Sequence, residues 1–92
     1  MKIEPIQKEH IPYLKFPDED VLFEADKISE RYHALQYAMR FGNSLKHKVV
    51  ILFKDINDLK TVETTIWYAD NQYAVLKGGV VLPVKRIINV KL

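Results

Sequence analysis

Three histidines, His10, His33 and His47, and two serines, Ser29 and Ser44, are the first places to look for acid–base or nucleophilic chemistry in this 92-residue chain. Neither serine has the strand-to-helix glycine context that exposes an activated nucleophile. No two histidines stand three or four residues apart, so no helical face would present a pair of ligands to a metal, and they read as polar surface residues. The chain has no cysteine, which excludes a thiol nucleophile, a thiolate zinc site and a disulfide framework, and suits a reducing compartment. The acids Asp18, Glu19, Asp20, Glu24 and Asp26 are explained by the preference of helix N-termini for negative charge rather than by a cation site. Gly78 and Gly79 lack the following helix, the spaced lysine and the serine or threonine of a phosphate loop. The residues therefore name no catalytic group, no cofactor and no metal site, and the expectation is a protein that is not an enzyme.

One constellation remains. Trp67 stands on the opposite side of its strand from Ile66 and Tyr68, with Lys48, Lys77, Lys85 and Arg86 on or beside neighbouring strands. Aromatic rings flanked by cations stack bases and hold phosphates when they face water. If covered by a helix, the same tryptophan is core, and that is the expectation for Trp67. Charge is divided unevenly: residues 1–45 carry 6 basic and 8 acidic groups, whereas residues 46–92 carry 8 and 4. The two parts have opposite net sign, which suits mutual attraction within one fold.

Length and composition fit one small globular domain spanning residues 1–92, with 48% hydrophobic and 28% charged residues. The first residues lack the uninterrupted apolar core of a signal peptide. No stretch approaches the roughly 20 apolar residues that span a bilayer, so a cytoplasmic protein without a membrane partner is expected. Pro5, Pro12 and Pro17 predict an extended arm over 1–17, which "IPYLKF" should hold against the body of the domain. Val21, Ala25, Ile28, Tyr32, Leu35 and Met39 trace one face of a helix within 18–41. Asp18 or Asp26 is a candidate cap, and Gly42 suits the left-handed position after the last turn. Beyond it, "HKVVILFKD", "TVETTIWYA", "QYAVLK", "VVLPV" and "INVKL" predict five short strands joined by tight connections over 48–92, with Pro83 at an edge or bend. The protein should be mainly β with an N-terminal helix, an α+β fold whose five-stranded, strongly bent antiparallel sheet closes into a small barrel. Both faces of these strands are apolar, so the helix, the arm or a second copy must cover the outer one.

The helix-then-five-strands order, with Tyr32, Leu35, Ala38, Lys48, Val49 and Ile51 in its first part and Gly78, Gly79, Ile87 and Val90 in its last, resembles the SH3/Sm-like small barrels. Among these it is similar to the Sm-like proteins and the Rho-binding antiterminator proteins of bacteria. "DNQYAVL" is similar to the Sm loop motif, with Asp70 in the leading acid position and Ala74 where that motif carries its RNA-contacting asparagine. The resemblance implies the barrel fold. The functional expectation is a regulatory interaction module that binds a protein partner through an exposed strand edge or apolar residue, with RNA binding around Trp67 as the alternative and a homo-oligomer open.

Overall fold

Runs rich in valine, isoleucine and threonine become strands where expected. A computed structural model of the chain describes residues 2–45 and 47–92; Met1, where the expected arm begins, lies outside them. In order these residues form β1 (Ile3–Pro5), a 3-10 helix (Lys8–Tyr13), α1 (Ala25–Leu45), β2 (Val49–Lys54), β3 (Leu59–Thr64), β4 (Ile66–Ala69), β5 (Tyr73–Leu76), β6 (Val81–Pro83), a second 3-10 helix (Val84–Arg86) and β7 (Ile87–Lys91). The protein is mainly β with one α-helix. Its strands make two sheets, one in the order β1-β3-β2-β7 and one in the order β4-β5-β6. Among the described residues only β1 and β3 run parallel.

The expected second strand is broken in two by the buried Thr65. Its carbonyl accepts the Lys77 amide at 2.9 Å, so β3 stays with β2 while β4 passes across to β5. Among the described residues no ladder joins β6 to β7, and the ladders do not close into a single barrel. Side chains alternate by the period of two that strands impose: Val49, Ile51 and Phe53 of β2, Val62 of β3, Ala74 and Leu76 of β5 and Leu82 of β6 all turn into one shared core. Gly78 and Gly79, at φ 86° and 85°, take the left-handed backbone that lets β5 reverse into β6.

The arm is not extended throughout, since residues 8–13 coil into a 3-10 helix that contains Pro12. It does lie on the body. Ile11 is buried in the core, and the Phe16 ring sits 6.1 Å from that of Phe53, tilted by 49°. Tyr13, by contrast, points into water.

The helix starts later and ends later than its sequence signals suggest. Residues 18–24 are irregular, because Asp20 turns to Arg31 instead of capping a helix. Asp26 falls in the first turn, where a carboxylate opposes the helix dipole favourably. The buried face is Arg31, Leu35, Ala38 and Gly42, one step round from the expected stripe, and Ile28 and Tyr32 are left exposed. Gly42 is inside the helix and not after it, for a steric reason. A Cβ there would lie 2.6 Å from the Ile66 carbonyl oxygen and 2.8 Å from Thr65 Cγ2. The glycine thus lets the helix press on the bend between β3 and β4. Further along, Gln36 donates to the Ala69 carbonyl at 2.8 Å and the Ala69 amide donates to Met39 Sδ at 3.3 Å, so helix side chains close the open edge of β4.

Gly42→Ala tests this seating. In an ordinary helix the change stabilises by about 0.5–1 kcal/mol. Here overpacking should outweigh that and destabilise by about 1–3 kcal/mol, read as a Tm lowered by several degrees. A raised Tm would show that the helix does not press on the bend.

Candidate functional site

The site begins with a slip of register. In a regular strand Ile66 and Tyr68 would share a face, but the β4–β5 ladder shifts between them, pairing Ile66 with Leu76 and Tyr68 with Val75. A shift of this kind turns side chains to the other side of a sheet. Ile66 and Ala69 stay buried, while Trp67 and Tyr68 both emerge, 47% and 51% exposed. Tyr73 at 49% and Val81 at 47% lie on the same outer face. Pairing of Val75 with both Tyr68 and Val81, and of Tyr73 with Pro83, makes these residues one contiguous surface across β4, β5 and β6.

Its ends are rigid. At one end Asp70 Oδ1 accepts the amides of Gln72 at 2.7 Å and Tyr73 at 2.8 Å, and these bonds hold its carboxyl below the usual range. At the other stands the Gly78–Gly79 reversal. Trp67 is therefore not core: it faces away from the buried Ile66 on a side that α1 does not cover, and the register shift brings Tyr68 out beside it. The outer side of the three-stranded sheet is left open because α1 packs on β4 and β7 instead.

The basic residues expected around Trp67 are only partly gathered there. Lys77 bonds through its amide to Thr65, and Lys48 precedes Val49, whose partner is Thr64, so both stand beside the bend from which Trp67 projects. Lys85 is at the other end of the sheet, 3.8 Å from Asp18. Arg86 is only 3% exposed and is turned inward, away from Trp67. Its guanidinium donates to the carbonyls of Glu19 at 2.8 Å, Lys54 at 3.1 Å and Asp55 at 3.4 Å. Tyr68, Tyr73 and Val81 belong to the surface but were missed from sequence. The signal that could have found them was the apolar character of both strand faces.

Two further ion pairs fasten the frame. Lys60 lies 2.8 Å from Asp55, both buried, and Asp55 also accepts the amides of Asn57 and Asp58. Burial opposes ionisation of Asp55, but the Lys60 ammonium and the two amides outweigh it and hold the carboxyl below the usual range. The bond to Asp55 raises Lys60 above its ordinary value, against burial. Arg31 grips both oxygens of Asp20 at 2.8 Å, and this pairing, also against burial, lowers Asp20. Among the described residues no group of three or more histidines, aspartates or glutamates is placed to hold a metal ion. No helix among them is long and apolar enough to cross a membrane. Comparison with protein-family models, with curated sequences and with solved structures returned no match.

These pairs set the pH response. Asp20 and Asp55 are lowered on folding, so their contribution is complete above the unfolded carboxylate value near ~3.9 and is lost as pH falls through the lower folded values. Lys60 is raised, so its contribution is complete below about 10.4 and is lost as pH climbs through its folded value. Denaturant titrations should give a flat stability between these limits. Lys60→Met, which strands the buried Asp55 carboxylate, should cost about 3–5 kcal/mol at neutral pH. A loss below about 1 kcal/mol would mean that the pair is solvated.

Proposed function

We propose that the chain is a non-enzymatic interaction module whose outer sheet face receives a short segment of a protein partner. The observation that carries this reading is the contiguous, part-exposed surface of Trp67, Tyr68, Tyr73, Val75, Val81 and Pro83. Aromatic side chains exposed by half offer about 100 Å² each, so the face presents on the order of 400 Å². A standard interface takes roughly 800 Å² per partner. The face alone is thus too small to hold a second copy or a folded domain, and it matches a short extended segment. Tyrosine and tryptophan are rigid anchors that lose little entropy on binding, and Val75 and Val81 between them suit apolar side chains. With Arg86 internal and Lys85 beside Asp18, only Lys48 and Lys77 accompany Trp67, which is little positive charge for a nucleic-acid backbone.

The path from β2 to β7, in which a 3-10 helix leads into a last strand paired with the first of the series, supports reading these strands as an opened SH3/Sm-like small barrel. With the resemblance to the antiterminator and Sm-like group, the proposal extends to a regulatory role in the cytoplasm.

The test is capture from the cell extract, with and without nuclease, by the native chain and by a Trp67→Ser, Tyr73→Ser, Val81→Ser variant of matched Tm. The expected result is a partner that survives nuclease and binds the variant at least about tenfold more weakly. Retention that nuclease abolishes would assign the face to RNA, and equal retention by both proteins would remove the face from the function.

A further inference from the structure

We propose that the cleft between residues 19–23 and the β2–β3 turn binds a small organic monocarboxylate, its carboxylate toward Arg86 and its apolar body against Phe23. The cleft has a volume of about 480 Å³, and Val21, Leu59 and Ile88 give it apolar walls. A concave volume of this size, apolar with a few polar groups, is that of a small-molecule site. Two features point to this occupant.

Arg86 is the first. It lines the cleft yet is only 3% exposed, and its guanidinium lies against three neutral carbonyls, those of Glu19, Lys54 and Asp55. A guanidinium has five N–H donors, so three acceptors leave two donors without one. Among the described residues no carboxylate lies within ion-pair distance of it. A buried cation with no counter-charge is costly, and an anion in the cleft would offset it while accepting the remaining donors.

The other charges on the lining select one negative charge over two. Asp20 is taken by Arg31 at 2.8 Å. Glu19 and Asp58 are matched in number by Lys2 and Lys54, all four exposed, so the balance is the single charge of Arg86. A dianion such as inorganic phosphate would meet the two rim acids with no cation to spare.

Phe23 is the second feature. Its side chain, 90% exposed, borders the same cleft as Val21, Leu59 and Ile88. One cavity thus joins apolar surface open to cover with a buried cation open to pairing, and a ligand that is apolar at one end and a carboxylate at the other answers both.

The probe is octanoate at neutral pH, titrated into the 15N-labelled chain and followed by NMR, with octanamide as its uncharged control and inorganic phosphate as a second anion. Saturable shifts are expected for the Arg86 Nε–H and the amides of Leu59 and Ile88, with octanoate bound at least about tenfold more tightly than octanamide. Lys54→Glu, which reverses an exposed charge on the rim, should weaken octanoate by about tenfold or more and leave octanamide unchanged. Lys2→Glu serves if that variant fails to fold. Equal affinity for octanoate and octanamide, phosphate bound as tightly as octanoate, octanoate affinity untouched by the rim substitution, shifts confined to Trp67 and Tyr73, or no shifts at all would each overturn the proposal.

Discussion

The guanidinium of Arg86 ties three parts of the chain together at one point. It binds the carbonyl of Glu19 in the irregular segment before the helix and those of Lys54 and Asp55 where β2 turns toward β3. A buried cation needs acceptors on every side, and backbone carbonyls supply them without adding an opposing charge. Lys60 then meets Asp55 from the next strand, so a second cation braces the same turn. The entry to the helix, the β2–β3 turn and the start of β7 are therefore positioned from one point. The segment over the core is fixed beside it, since the Val21 amide donates to the Lys85 carbonyl at 2.9 Å.

Much of this was legible in the residues. β2, β5, β6 and β7 follow from β-branched runs bounded by glycine, proline and charge, and Pro83 does end the border strand β6. The burial of Leu35 and Ala38 follows from helical spacing. What failed were inferences from residue type where tertiary contact decides. Gly42 reads as a helix stop in isolation, but its missing side chain serves an approach to Ile66 that no local signal announces. Arg86 reads as a surface cation because arginine usually is one, and its burial depends on carbonyls distant in sequence. Trp67 reads as core because it is large and apolar, but the helix packs elsewhere, and the ladder shift that turns Tyr68 out beside it leaves no trace in composition.

The open sheet face and the sealed one share a cause. One helix of 21 residues can lie on one side of a domain of this size, and Gly42, Met39 and Gln36 commit it to the bend and border of β4. The arm is likewise committed to the core through Ile11 and Phe16. Nothing in the described chain is then left to cover Tyr73 and Val81. The aromatic surface is a consequence of where the covering elements are used.

β1 is a modest element, three residues with exposed side chains, yet it lies along β3 from Leu59 to Thr61, and the pairing is extended by the Ile6 amide to the Thr61 carbonyl at 2.9 Å. It protects by hydrogen bonding alone, as a selvedge keeps cloth from fraying. Proteolytic loss of residues 2–6 would take from the core the partly buried Ile6, and it would also bare the rim of β3 within a threonine- and valine-rich stretch of low net charge, the composition that seeds cross-β assembly. Protection of that rim is thus vested in a short segment from which the core takes a single side chain, Ile6.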